Sequence, residues 1–203
     1  MAFGRCNQLE NFRLSENIQE LGWFCFWGTQ ITDMEIPPQV GRTPEQLGIG
    51  QVDPKVLRLP NGLKGVGNWW FSGSDIEKVI IPGSVESLRV CAFYQCKQLY
   101  EVVFEPGSHL KTIERWCLAE SGLRKIVIPR TVQTIGDSAL SNCAELQEVT
   151  FESGSCLTSI GEWCFGKSGL RKIVIPKSVS FIGRSAFYGC AQLQTVKFEP
   201  GSR

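Results

Sequence analysis

Nine cysteines are the residues of this 203-residue chain with the widest choice of chemistry, as metal ligands, disulfide partners or nucleophiles. Seven recur at two fixed positions of a repeating pattern: Cys6, Cys96, Cys143 and Cys190 at one, and Cys25, Cys117 and Cys164 at the other. The odd total and the absence of CxxC disfavour a disulfide framework or a zinc site. A thiol that recurs at one structural position is typical of a small buried apolar group. We predict core thiols, with no metal and no cofactor, and expect Cys91 and Cys156, which lie off these positions, to be the more reactive.

The single histidine, His109, precedes Leu110 in a turn segment. A cysteine–histidine nucleophile would need a thiol beside it, and a lone turn histidine is usually just a solvated side chain. The sequence also contains no phosphate loop, no Gly-x-Ser-x-Gly motif and no metal-ligand cluster. We therefore predict no catalytic residue and a chain that is not an enzyme.

Charge and hydropathy argue against two further classes of partner. The 21 basic and 20 acidic residues nearly balance and form no basic stripe, so nucleic acid is not expected as a ligand. No apolar run reaches about 18 residues, which predicts no membrane-spanning segment. The first residues also lack the apolar core of a signal peptide. The 42% hydrophobic content is sufficient for a continuous core.

The elements that position these residues follow from an internal repeat. The nine letters SGLRKIVIP begin at Ser121 and again at Ser168, which identifies a duplicated array. A leucine-type anchor recurs at steps of 23 or 24 residues from Ile76 onward. The anchors are Leu9, Ile31, Ile76, Leu99, Leu123, Leu146, Leu170 and Leu193. This spacing predicts about eight coils, each too small to bury a core without its neighbours.

Each coil follows one template. The third and fifth residues after the anchor are apolar, as in Ile126 and Ile128, which is the period-two pattern of a strand with one buried face. A second apolar anchor, such as Ile135, precedes a small residue and a large one, as in Ala139 and Leu140. This second part predicts either one helical turn or a tight arc. Proline or a Glu-Pro-Gly-Ser segment follows the strand, because proline ends a ladder and glycine permits a turn.

The combined pattern L-x-x-I-x-I-P-x-S-V-x-x-I-G-x-x-A-F-x-x-C-x-x-L, as it stands from Leu170 to Leu193, resembles the BspA-like leucine-rich repeats. The resemblance covers almost the whole chain. It implies an α/β, β-rich fold: a right-handed leucine-rich-repeat solenoid with a parallel sheet on its concave face. Such repeats occur in surface proteins of oral bacteria and of parasitic protists such as trichomonads. Adhesion or host-protein binding is suggested for some members, and no catalytic residue comes with the family.

The domain organisation is predicted to be one array over residues 1–203, regular over 56–203 and degenerate over 41–55. Both ends fall in mid-coil, which predicts a fragment of a longer repeat protein and end-to-end self-association through exposed coil ends. Trp70 occupies a small-residue position, and we expect it to fill space beside the degenerate coil. Trp116 and Trp163 occupy equivalent positions, where they either cover the rim of the core or form an aromatic contact stripe.

The outward face of the strands is the candidate binding site. The second residue after each anchor alternates between lysine and glutamate, which either keeps the strands in register or faces a ligand. The fourth is mostly β-branched and apolar, which reflects either strand propensity or a contact strip. The predicted protein-binding residues are Lys78, Ile80, Glu101, Val103, Arg124, Lys125, Val127, Glu148, Thr150, Arg171, Lys172 and Val174.

Together these patterns predict a non-catalytic repeat scaffold that binds a protein ligand through its concave sheet. By resemblance, the whole protein is a cell-surface or secreted adhesin. The alternative is a cytoplasmic scaffold, or a repeat segment of a larger signalling protein. The free thiols and the lack of any Asn-x-Ser/Thr site favour that alternative.

Overall fold

The computed structural model describes residues 56–59, 61–68 and 71–202. Within these ranges the chain forms a parallel-strand solenoid of about six turns, built from strands and hydrogen-bonded turns without a helix. The degenerate coil, Trp70 and the earlier anchors lie outside the described residues, so the count of eight coils stays a prediction.

Each turn of the solenoid contributes one longer strand and one short strand. The longer strands are β1 (Val56–Arg58), β3 (Lys78–Ile81), β5 (Glu101–Phe104), β7 (Lys125–Ile128), β9 (Glu148–Phe151), β11 (Lys172–Ile175) and β13 (Thr195–Phe198). The short strands are β2 (Gly65–Val66), β4 (Ser87–Leu88), β6 (Thr112–Ile113), β8 (Thr134–Ile135), β10 (Ser159–Ile160) and β12 (Phe181–Ile182). All pairings are parallel, and the short strands form one continuous six-stranded sheet.

The segment after each short strand is a tight arc. Two residues per arc, four positions apart, have left-handed backbone dihedrals, such as Trp116 (φ 60°) and Glu120 (φ 57°). Alternate backbone N–H groups of the arc donate to the next turn, as from Phe93 N to the carbonyl oxygen of Cys117 at 2.8 Å. Left-handed residues interrupt a right-handed helix. The α component of the predicted α/β class is therefore wrong for the described residues, where the arc replaces the helical turn.

One hydrophobic core runs through the described turns. The anchors Leu99, Leu123, Leu146 and Leu170 are fully buried, as are the inward strand residues Ile126 and Ile128 to within 1%. The outward residues of β7 and β11 are exposed, so these two strands alternate between exposed and buried along the chain. The period-two prediction is confirmed, because burial on one face is what that pattern encodes.

The sheet of longer strands is divided. Strands β1, β3 and β5 form one three-stranded sheet and β7, β9, β11 and β13 form a four-stranded one. Four residue pairs join β3 to β5, and four join β7 to β9. Strands β5 and β7 share no ladder of paired residues. We call the β5/β7 boundary the seam. Between β9 and β11 the pairing is limited to Lys172 and Glu148.

The Ser-Gly-Leu corner precedes β7 and β11, the two strands whose pairing to the preceding strand is absent or limited to one residue pair. A Cβ atom on Gly122 would overlap the carbonyl oxygen of Lys97 in the preceding coil, so only glycine permits this approach. The Ser121 hydroxyl lies 3.3 Å from Cys143 Sγ in the next turn. The corner thus joins each two-coil unit to its neighbours through close packing rather than through a full ladder.

Candidate functional site

Ten of the twelve predicted binding residues lie at outward positions of the longer strands, a surface that we call the strand face, and Arg124 and Arg171 directly precede β7 and β11. Register pairing aligns Lys78 with Glu101, and Glu148 with both Lys125 and Lys172, so the predicted charge alternation runs across neighbouring strands. The seam separates the set into two groups. Lys78, Ile80, Glu101 and Val103 are half-buried on the β1–β5 side, while the eight residues on the β7–β13 side are all exposed.

Charges on the β1–β5 side satisfy one another. Lys78 Nζ lies 2.7 Å from a carboxylate oxygen of Glu101, and the Arg58 guanidinium lies 3.3 Å from Glu105. Lys78 and Glu101 join adjacent coils, and Arg58 and Glu105 join coils that are two apart. The outward charges here therefore serve to join coils.

Charges on the β7–β13 side do not pair in this way. Among the described residues, no ion pair within 4.0 Å involves Arg124, Lys125, Glu148, Arg171 or Lys172. Four cationic side chains and one carboxylate thus lie exposed on this side, and Glu101, which is paired with Lys78, borders them at the seam. Positive charge exceeds negative charge within this exposed set, which favours a positive local potential.

An apolar strip crosses the same side. Val127 and Val174 are 50% and 49% exposed, and Thr150 lies on the strand between them. Val174 pairs in register with Lys197, where the strip ends. β-branched side chains held on a rigid sheet lose little entropy on contact, which suits them to a binding surface.

A shallow open concavity lies at the seam, with a volume of about 480 Å³. Its lining residues are Tyr100, Glu101, Arg124, Lys125, Gln147 and Glu148. Tyr100 and Gln147 were not among the predicted site residues. Both directly follow an anchor, like Arg124, and that shared position is the signal by which they could have been found. Each of the six lining residues carries a polar or charged group, which differs from the mainly hydrophobic residues that line small-molecule pockets.

The cysteines on repeat positions are mostly buried and serve the packing. Cys143 Sγ donates a hydrogen bond to the Leu118 carbonyl oxygen at 3.2 Å, and burial raises the pKa of Cys143 and, further, that of Cys164. Cys91 is also buried, at 4% exposure, and burial raises its pKa, so the expectation that it is a reactive thiol is wrong. Cys156 is the exposed thiol of the described part.

The single histidine and the possible metal ligands were the remaining candidates for a catalytic or metal site. His109 is exposed, and its Nδ1 lies 2.9 Å from the carbonyl oxygen of Gly83. Within the described ranges, no three histidine, cysteine or acidic side chains converge as metal ligands would. A search of the same residues for a helix of membrane-spanning length and hydropathy found none.

The two tryptophans of the described part, Trp116 and Trp163, each pack against a tyrosine from an adjacent coil. Trp116 meets Tyr94 edge to face with ring centroids 5.9 Å apart, and Trp163 meets Tyr188 at 4.7 Å. The coil between them carries Ser138 at the equivalent position. The tryptophans therefore form two separate aromatic pairs rather than one continuous stripe.

The glutamates before Pro-Gly-Ser or Ser-Gly-Ser have a role that the sequence analysis did not assign. Glu152 Oε2 accepts a hydrogen bond from the Arg130 backbone N–H at 2.9 Å, and Glu199 Oε2 accepts one from Lys177 N–H at 3.1 Å. Each carboxylate caps the turn that follows the proline of the preceding coil. Charge-assisted bonds of this kind are stronger than neutral ones.

Parallel strands, buried leucine anchors and a short period together define a leucine-rich-repeat scaffold. The sequence matches the model described as BspA type leucine rich repeat region, in six copies, over residues 1–99, 50–143 and 111–203. The chain belongs to the BspA type leucine rich repeat family. That family is a repeat scaffold.

Two solved structures illustrate the likeness. A leucine-rich repeat protein from Bacteroides ovatus is 27% identical, with a TM-score of 0.72 over 96% of this chain and 50% of its own. The pneumococcal vaccine antigen PcpA is 28% identical, with a TM-score of 0.70 over 75% of this chain and 42% of its own. This chain thus spans half or less of the length of these relatives. A search of curated proteins found no match.

Proposed function

We propose that this chain is a non-catalytic scaffold that binds a protein ligand through its strand face. The observation that carries the proposal is the pair of half-exposed valines, Val127 and Val174, held on a rigid sheet between unpaired cationic side chains. A contact surface of this type combines apolar area with charges that select the partner.

Binding of protein is tested by selecting a display library of protein fragments on the immobilised chain. Selected clones should bind Val127→Glu/Val174→Glu at least about tenfold more weakly, because two carboxylates would then interrupt the apolar strip. Gln133→Glu/Ser180→Glu is the matched control, since it adds the same charge at exposed positions beside the short strands β8 and β12. Clones that bind the valine variant as well as the native chain would remove the strand face from consideration.

The location of the whole protein belongs to the same proposal. The likeness to a pneumococcal vaccine antigen supports a surface adhesin, and the surface proteins among BspA-type repeats support the same location. The seven free cysteines of the described part favour the alternative, an intracellular scaffold or a repeat segment of a signalling protein. Protease treatment of intact cells followed by an immunoblot separates the two. Loss of the band supports the surface, and a protected band supports the interior.

A further inference from the structure

The β7–β13 side of the strand face has a charge period of two coils. Lys125 and Lys172 flank Glu148 in register, and Arg124 and Arg171 directly precede the two lysines. Neighbouring parallel strands stand about 4.8 Å apart, so the two cationic pairs are separated by about 9.6 Å with a carboxylate midway. The surface therefore favours anions at one spacing and repels them at half that spacing.

This spacing distinguishes between kinds of anionic ligand. A polyproline II segment has three residues per turn and a rise of about 3.1 Å per residue, so every third residue recurs on one face after about 9.3 Å. A β-strand repeats on one face after about 6.6 Å. Nucleic acid carries a phosphate about every 3.4 Å along each strand, which would bring phosphates against Glu148. The polyproline II period matches the distance between the cationic pairs.

The apolar features of the surface fit the same ligand. Val127 and Val174 lie two residues beyond the lysines on each strand, and therefore about 6.6 Å from the charged row. At the seam, Tyr100 is 41% exposed and lines the concavity beside Arg124. Aromatic and apolar side chains around a groove are the usual receptors for the rings of proline-rich segments.

We infer that the partner of this surface presents an extended, proline-rich acidic segment with a carboxylate at every third residue. The inference rests on the proposed function and specifies its ligand. The carboxylates pair with Arg124 and Lys125 at one end and with Arg171 and Lys172 at the other. Neutral residues of the segment pass over Glu148, and proline rings contact the valine strip and Tyr100.

The test uses labelled peptides of repeating Glu-Pro-Ala, a shuffled peptide of identical composition, and a neutral Gln-Pro-Ala peptide. Fluorescence anisotropy should show the period-three acidic peptide binding about tenfold more tightly than the shuffled one. Lys125→Gln/Lys172→Gln should lose that binding, while Lys97→Gln/Lys167→Gln, which removes two exposed lysines elsewhere, should keep it. Glu148→Gln should raise the affinity of the shuffled peptide most and so reduce the preference.

Equal affinity for the two acidic peptides would overturn the inference, as would binding that survives Lys125→Gln/Lys172→Gln. Tighter binding of a sulfated polysaccharide or single-stranded DNA than of the period-three peptide would assign the surface to another class of ligand and also overturn it. Failure here is distinct from failure of the proposed function. If fragments from the display library depend on Val127 and Val174 while no acidic peptide binds, the protein-binding function stands and this ligand class falls.

Discussion

The two sides of the seam share a backbone template and differ in what their outward side chains do. On the β1–β5 side, Lys78 and Glu101 pair at 2.7 Å, and the other outward residues of their strands, Ile80 and Val103, are half-buried. On the β7–β13 side, Lys125 and Glu148 hold the same positions in the same register without forming an ion pair. Alignment of opposite charges in register is therefore not sufficient for an ion pair to form.

The short-strand sheet shows the same contrast. The residues just before the short strands include Lys64, Glu86 and Lys111 in three successive coils, where Glu86 bonds both lysines at 3.5 and 2.8 Å. The next two coils carry Gln133 and Thr158, and Thr158 Oγ1 donates to the Gln133 carbonyl oxygen at 3.1 Å. Ion pairs join coils on the β1–β5 side. On the β7–β13 side, neutral hydrogen bonds such as this one act beside carboxylates that accept from backbone N–H groups, as Glu152 does from Arg130. The comparison indicates that charged side chains join coils on both sides, while Lys125, Glu148 and Lys172 form no ion pair with any described residue.

The largest effect is expected at the seam itself. Gly122→Ala should lower the free energy of unfolding by about 3 kcal/mol, because the added Cβ would overlap the Lys97 carbonyl oxygen and displace backbone. Urea unfolding followed by circular dichroism measures the loss. We expect a single transition, since the buried core continues across the seam.

Gly83→Ala is the control for this change. Its Cβ would lie 3.3 Å from the carbonyl oxygens of Pro106 and Gly107, which a small shift relieves. Two separate transitions in Gly122→Ala would show that the halves unfold independently and contradict the continuous core.

A smaller effect on the free energy of unfolding is expected from the two lysine–glutamate pairs aligned in register across neighbouring strands. A double-mutant cycle for Lys78→Gln and Glu101→Gln should give a coupling energy of about 0.5–1 kcal/mol, as for a formed surface ion pair. The equivalent cycle for Lys125→Gln and Glu148→Gln should give a coupling close to zero. Equal couplings from urea denaturation would erase the distinction between the two sides.

The smallest effect concerns pH. The hydrogen bond and charge of Lys111, aided by Lys64, hold the pKa of Glu86 below its ordinary value of 4.5. A depressed folded-state pKa adds stability above the unfolded value that is lost as pH falls through the folded value. The urea midpoint of the native chain should fall as the pH drops below about 4.5, and in Glu86→Gln it should fall slightly less. An acid profile of Glu86→Gln identical to that of the native chain would contradict this role for Lys111 and Lys64.

The buried positions of each coil could be predicted from the repeating sequence, whereas the left-handed backbone dihedrals and the ion pairs could not. The anchors and alternate apolar residues, such as Leu123, Ile126 and Ile128, are predictable because burial follows side-chain period. The left-handed dihedral of Trp116 left no signal, since tryptophan is not a residue type that indicates it. The sequence pattern also did not show that Lys78 forms an ion pair with a glutamate of the next strand while Lys125 does not. That difference depends on side-chain geometry across coils, which identical letters do not encode.

Nine non-glycine residues of the described part have positive φ, and this has a consequence for how the array forms. Each left-handed residue costs roughly 1–2 kcal/mol, so an isolated arc would not hold its shape. The hydrogen bonds that hold it come from the next turn, as in the bond from Leu118 N to the Ala139 carbonyl oxygen at 2.8 Å. Folding should then resemble the growth of a one-dimensional crystal. The first pair of turns is the improbable nucleus, and each later turn is templated by a surface already in place.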